Sequence, residues 1–146
     1  MTEYNKIFID TSPYIYYLEK NPMYYDTVKK FFMDCYEDGN EFVTSMITVE
    51  EYSIIPYRDN NMELLRDFDK FMDDMETEIM EINREIALKA AEIRAEYKGF
   101  KAMDALQLSS AVISGCDLFL TNDKKLKQFT EIECMIVDEL ENLIET

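Results

Sequence analysis

Histidine is absent from the 146 residues of the chain. Without imidazole, the protein cannot use the Ser–His–Asp or Cys–His arrangements of nucleophilic enzymes, or a zinc site built on histidine. Any acid–base or metal chemistry must therefore depend on Asp, Glu, Lys, Tyr or bound water.

Cysteine is scarce. Cys35, Cys116 and Cys134 are scattered, odd in number and without the spacing of a metal site. Disulfides and metal-binding cysteines usually come in closely spaced or even sets. These three are therefore predicted to be reduced, packed thiols of a cytoplasmic protein.

Long apolar runs and flexible linkers are also missing. No run approaches the roughly 20 apolar residues that span a membrane, and the first six residues do not resemble a signal peptide. Glycine and proline occur three times each, which favours short loops. Hydrophobic residues make up 47% of the chain, so we expect a single folded domain over residues 1–146.

Positive charge is in short supply, since 15 basic residues face 31 acidic ones and the net charge is −16. Such a charge argues against broad, nonspecific nucleic-acid binding. Residues 97–128 are different, because five lysines there outnumber three acids and leave +2. These lysines either solvate helix ends or serve a site that lies beside them.

Short apolar runs alternate with amphipathic stretches, which predicts an α/β fold with a mainly parallel sheet. Strands are predicted at 6–10, 41–44, 79–82, 118–121 and 134–137. Helices are predicted at 12–19, 24–36, 48–55, 60–75, 83–99 and 101–114, and a short basic helix at 124–129. Ser12 is the expected N-cap of the first helix, Pro56 a break, and Gly99 and Gly115 the ends of two later helices.

Four acidic residues each end or follow an apolar element: Asp10, Glu51, Asp104 and Asp123. Asp10 and Asp123 come at the carboxyl ends of predicted strands, where open parallel sheets bind ligands. Clustered carboxylates repel each other unless a cation joins them. The pattern indicates a metal held by carboxylates, which in turn suggests phosphate chemistry.

Three of these acids also have a structural explanation. Asp10 could form a turn into the first helix, and Asp123 could cap the short basic helix. Thr48 and Glu51 have the spacing of a capping box, and the adjacent Glu50 competes with Glu51 for any functional role.

Asp104 is the hardest of the four to explain by structure alone. In a helix that begins at Lys101, it shares a side with Leu108, Ala111 and Val112. A carboxylate buried there without a partner would cost several kcal/mol. It needs a buried partner, and a cation is the simplest one.

Four segments together resemble the PIN domain family, the metal-dependent ribonuclease domain of VapC-type toxins. They are Ile7–Ser12, Thr44–Tyr52, Lys101–Leu108 and Gly115–Asp123, followed by Ala111 and Phe129 as further matches. The resemblance implies a three-layer α/β/α sandwich with a central mainly parallel sheet. It also implies an acidic pocket that binds Mg²⁺ or Mn²⁺ and cuts RNA.

The family's acidic positions match Asp10, Glu51, Asp104 and Asp123, which the resemblance makes catalytic metal ligands. Its supporting polar positions match Thr11, Thr48 and Asn122. Gln107 departs from the family, in which many relatives have histidine or an apolar residue there, and we expect activity to survive this change. Lys98 and Lys101 are the candidates for binding the RNA backbone.

Partners also follow from the resemblance. A toxin of this kind would have a small antitoxin that blocks the pocket. Tyr14, Tyr16, Tyr17 and Leu18 give the first helix an aromatic surface, which we interpret as a homodimer contact with core packing as the alternative. The rival function is a PIN-fold module that binds protein with little or no catalysis.

Overall fold

A parallel sheet lies at the centre of residues 3–141, the part of the chain that this computed structural model describes. Its strands are β1 Lys6–Ile9, β2 Glu41–Ser45, β3 Glu78–Met80, β4 Leu118–Thr121 and β5 Glu133–Ile136. They lie in the order β3-β2-β1-β4-β5, and every neighbouring pair is parallel. The predicted α/β class is confirmed.

Helices connect these strands and cover the sheet. The α-helices are α1 Thr11–Leu18, α2 Tyr25–Glu37, α3 Met46–Arg58, α4 Met62–Asp74, α5 Arg84–Glu96 and α6 Ala102–Ile113. Two short 3₁₀ helices follow at Lys124–Gln128 and Val137–Glu139. Within residues 3–141, none of the helices has the length and apolar character that crossing a bilayer requires.

Alternating side chains along β1 divide the core into two halves. Ile7 and Ile9 belong to one cluster with residues of α1, α2 and α4, such as Tyr14 and Phe32. Phe8 points to the other cluster, which contains residues of α5 and α6. Successive side chains of a strand point to opposite faces, so the sheet is packed between two helical layers and the predicted sandwich is confirmed.

The aromatic residues of α1 pack within the chain. Tyr14 is fully buried, Tyr16 stacks on Tyr24 with ring centroids 4.5 Å apart, and Tyr17 stacks on Tyr25. This is the core packing that was the alternative to a dimer contact. The homodimer itself stays a prediction.

Two helices begin earlier than predicted. Asp10, not Ser12, is the N-cap of α1. Ser45 is the N-cap of α3, and its hydroxyl oxygen accepts a hydrogen bond from the Ile47 amide at 3.0 Å. In both places the helix starts directly where a strand ends, so the capping side chain lies at the sheet edge.

Two predicted helix ends also differ. Pro56 lies inside the last turn of α3, which continues to Arg58. A proline removes one helical hydrogen bond, and the helix ends two residues later. Gly99 does not end α5, which stops at Glu96 with Tyr97 as its C-cap. Gly115, in contrast, has φ 80° directly after the C-cap of α6, as predicted.

The strand order creates a crevice at one edge of the sheet. The chain leaves β1 toward β2 on one side, and β4 pairs with β1 on the other. The carboxyl ends of β1 and β4 therefore form a switch point, where open α/β sheets bind ligands.

Candidate active site

A pocket of about 310 Å³ opens at this switch point. Asp10, Glu51, Asp104 and Asp123 all line it. They come from the end of β1, from α3, from the first turn of α6 and from the residues after β4. The fold thus brings the four predicted acids into one pocket.

Asp10 is fixed by donors from three elements. Its Oδ1 accepts from the Thr11 amide at 2.9 Å and from Gln107 Nε2 at 3.0 Å. Its Oδ2 accepts from the Thr121 hydroxyl at 2.8 Å. Burial raises the pKa of the Asp10 carboxyl above its ordinary value, although the three hydrogen bonds lower it. The negative charge of Asp104 adds to the increase.

Glu51 is oriented by a hydroxyl rather than by a helix end. Thr11 Oγ1 donates to its Oε1 at 2.6 Å. Partial burial raises the pKa of Glu51, the Thr11 hydrogen bond opposes this, and the nearby charges of Asp10, Glu50 and Asp104 add to the increase. Glu50 itself is exposed on α3, so the structure separates the two adjacent acids.

The capping box proposed for Thr48 and Glu51 is wrong, because α3 begins at Met46 and Thr48 already lies inside it. Thr48 is buried. Its hydroxyl accepts from Gln107 Nε2 at 2.7 Å and lies 3.3 Å from the Thr11 hydroxyl. Thr11 and Thr48 therefore link Glu51 to the partners of Asp10.

Asp104 is less buried than the helix pattern suggested, since 20% of its side chain is exposed. Its carboxylate accepts from the Lys101 amide at 3.0 Å in the first turn of α6, and Lys125 Nζ lies 3.1 Å from Oδ2. A cationic partner was expected for Asp104, and the structure provides one. Its partner here is an ammonium group.

Asp123 is both a helix cap and a pocket residue, the two alternatives that the sequence offered. It caps the 3₁₀ helix Lys124–Gln128 through the Lys125 amide, 3.0 Å from Oδ1. Its side chain also lines the pocket, and Lys125 Nζ lies 3.9 Å from Oδ2. Capping and a place in the pocket are thus compatible.

The residues suit a hydrated, oxygen-binding cation. Among residues 3–141, no three acidic or cysteine side chains stand close enough together to hold one ion. Mg²⁺, however, usually keeps several waters and binds proteins through one or two carboxylates. Carboxylate oxygens also suit Mn²⁺, so the donor set fits either ion without a closed cage.

Sequence reasoning noted Gln107 only as a departure from the family and gave no role to Thr121. Gln107 donates to Asp10 and Thr48 and accepts from the Ser45 hydroxyl. Thr121 donates to Asp10 and accepts from the Asp123 amide at 3.1 Å. The signal for Gln107 was its position one turn after Asp104 on the same helix. Nothing in the sequence distinguished Thr121 from its neighbours.

The three remaining predicted residues, Asn122, Lys98 and Lys101, are not among the residues that line the pocket. Asn122 Nδ2 donates to the Tyr16 hydroxyl at 2.6 Å and so joins the β4 end to α1. Lys98 and Lys101 are exposed in the segment before α6. Their binding role remains a prediction.

Comparison with known proteins gives a family and a fold. The family model of the PIN domain matches residues 7–132. No curated protein sequence matches the chain.

Several solved structures are similar over most of the chain. VapBC2 from Rickettsia felis, bound to a DNA fragment from its promoter, gives a TM-score of 0.75 at 18% identity. The match covers 90% of this chain and 98% of the other chain. DNA-bound VapBC from Salmonella typhimurium gives 0.70 at 18% identity, over 91% and 98%. A toxin–antitoxin complex from Klebsiella pneumoniae gives 0.63 at 21% identity, over 86% and 92%. At these identities the likeness concerns the fold.

Proposed function

Because the chain belongs to the PIN domain family, we propose that it is a metal-dependent ribonuclease that hydrolyses RNA phosphodiester bonds. The observation that carries this proposal is the pocket itself. Four carboxylates from four separate segments line it at the switch point of a parallel sheet. Such an accumulation of negative charge favours a bound cation.

Asp10, Glu51, Asp104 and Asp123 would bind a hydrated Mg²⁺ or Mn²⁺, one or two of them directly and the others through its waters. The ion would supply Lewis acidity for the attacking water and the phosphate. The protein contributes pre-organisation, because Thr11 orients Glu51 while Gln107 and Thr121 orient Asp10. Side chains held in this way need little rearrangement when charge develops during the reaction.

RNA would approach the pocket from its lysine-rich side. Lys98 and Lys101 are exposed just before α6, the helix that carries Asp104. Lysine ammonium groups bind phosphates as point charges. The net charge of −16 would disfavour RNA over most of the remaining surface, which confines productive binding to this side.

The test compares two neighbouring glutamates of α3. Glu51→Gln removes a pocket carboxylate, whereas Glu50→Gln removes the same charge from an exposed position. With Mn²⁺ and a panel of RNAs, we expect cleavage to fall about 100-fold or more in Glu51→Gln and to stay at the wild-type rate in Glu50→Gln. Asp104→Asn should follow Glu51→Gln. Equal cleavage by wild type and Glu51→Gln would refute the assignment.

We further propose that the chain is the toxin of a toxin–antitoxin pair with a small antitoxin partner. The support is the likeness to structures described as VapBC and toxin–antitoxin complexes. A gene for a small DNA-binding protein beside this one would agree with the proposal. Its absence would leave the ribonuclease without this biological setting.

A second candidate is a protein-binding module with little catalysis. Two observations favour it: Lys125 already pairs with Asp104 and Asp123, and no three described acids stand close enough to hold one ion. The two candidates differ in their response to metal. A metal site gains stability from bound ion, as any ligand of the native state does, and a module without a metal site does not.

A further inference from the structure

Lys125 places a positive charge beside two of the acids that line the pocket. Its Nζ lies 3.1 Å from Asp104 Oδ2 and 3.9 Å from Asp123 Oδ2. Its backbone amide donates to the other oxygen of Asp123. Lys125 therefore contacts Asp123 through both its backbone amide and its ammonium. Of its side chain, 30% is exposed.

This contact divides the four acids into two pairs. In the hydrogen bonds of the described residues, Asp10 and Glu51 accept from neutral donors, namely an amide nitrogen, a glutamine and two threonines. Asp104 and Asp123 are paired with a cation.

We propose that Lys125 competes with the divalent cation for Asp104 and Asp123, and that this competition sets the metal affinity of the pocket. The proposal rests on the metal-dependent function proposed above. An ammonium and a divalent cation repel each other at such short range. The flexible four-carbon stem of lysine lets the ammonium leave when the ion enters. Until then the ammonium offsets part of the negative charge of Asp104 and Asp123.

The test measures Mn²⁺ affinity by isothermal titration calorimetry in two matched variants. Lys125→Met removes the ammonium that pairs with Asp104 and Asp123. Lys124→Met removes the same charge from the exposed residue next to it, on the same short 3₁₀ helix. Net charge is therefore identical in the two variants. We expect Lys125→Met to bind Mn²⁺ about tenfold more tightly than Lys124→Met, from the repulsion between unit and double charges a few ångströms apart.

Two further variants separate competition from a general structural effect. Lys125→Arg keeps the positive charge and should bind Mn²⁺ no more tightly than wild type. Adding Asp104→Asn to Lys125→Met should abolish the gain, because the freed carboxylate is then missing. Circular dichroism melts confirm that each variant is folded, and Lys125→Gln takes the place of the Met variant if that one does not fold.

The outcomes distinguish this inference from the function on which it rests. If wild type binds Mn²⁺ and Lys125→Met binds it no more tightly than Lys124→Met, competition by Lys125 is refuted and the metal site stands. If no variant binds Mn²⁺, both proposals fail. Tighter binding in Lys125→Met that disappears with Asp104→Asn supports the inference.

Discussion

Asp10 has most of its hydrogen-bonding capacity occupied by the protein. A carboxylate offers about four acceptor positions, and Thr11, Gln107 and Thr121 take three of them. Asp10 is also the N-cap of α1. A substitution there would disturb a helix start and a core network together, which makes Glu51 the cleaner residue for testing chemistry.

We predict that Gln107 stabilises the folded protein through its hydrogen bonds at the site. Gln107→Leu removes both donors and the acceptor at once, and leaves buried Ser45 and Thr48 with fewer partners. Buried polar groups that lose a partner cost about 1–3 kcal/mol, and we expect a loss of stability of about this size. Urea unfolding measures it.

Gln128→Leu serves as the control for Gln107→Leu, because Gln128 is exposed on the 3₁₀ helix. The same chemical change there should alter stability by less than about 0.5 kcal/mol. A Gln107→Leu protein as stable as wild type would show that the hydrogen-bond network around Asp10 contributes little to the fold.

The acidic positions could be predicted from sequence, whereas their partners could not. Asp10 and Asp123 follow recognisable strands, and the ends of parallel strands meet at one edge of a sheet. Gln107 and Thr121 matter because their side chains point toward Asp10 from two other elements. That direction depends on how α6 and β4 pack, which a one-dimensional pattern does not encode. Lys125 was missed as a partner of Asp104 for the same reason.

At the level of elements, strand and helix identity was predictable and helix starts were not. Thr44, Ser45 and Thr48 are all acceptable cap residues by composition. The structure uses Ser45 because α3 begins immediately after β2, with no loop between them. Only the position of the sheet edge selects among such neighbouring candidates, so helix boundaries are the weakest part of a sequence reading.

Glu139 joins the two 3₁₀ helices and should make stability depend on pH. Its Oε1 accepts from the Ile136 amide at 3.0 Å and from Lys127 Nζ. Burial favours the neutral acid, but the Ile136 amide and the Lys127 ammonium hold the pKa of Glu139 below its ordinary value. A lowered pKa stabilises the fold above the unfolded-state pKa of about 4.3, and this stabilisation is lost as pH falls through the folded-state value.

The comparison of wild type with Glu139→Gln checks this dependence. Since 39% of the side chain is exposed, solvent screening limits the effect to at most about 1 kcal/mol. Thermal melts should show wild type more stable at pH 7, with the difference shrinking below about pH 4. Glu133→Gln is the control on an exposed strand residue, for which no such convergence is expected. A difference that is constant with pH would contradict the role of the charge.

For the whole molecule, the important quantity is the uneven charge. The chain carries −16, yet the segment 97–128 that flanks the pocket is net positive. The charge and the parallel sheet could be inferred from composition and periodicity, whereas the two helical layers were implied by the family resemblance. The pairing of individual charges across the pocket, as between Lys125 and Asp104, depends on tertiary geometry.

Excess negative charge and a specific metal site both predict that cations stabilise the protein, and ionic strength separates the two effects. Sodium chloride screens self-repulsion over a Debye length of about 8 Å at 0.15 M, so the melting temperature of wild type should rise with salt. At equal ionic strength, MgCl₂ or MnCl₂ should raise it further, because a bound ion favours the native state.

Two glutamates of α3 show whether the additional rise in melting temperature with divalent salt comes from the pocket. It should persist in Glu50→Gln, which loses one surface charge, and decrease in Glu51→Gln, which loses the same charge from the pocket. Screening alone cannot distinguish these variants, because their net charges are equal. If divalent and monovalent salts at matched ionic strength stabilise wild type equally, the pocket does not bind the ion and the protein-binding alternative gains the advantage.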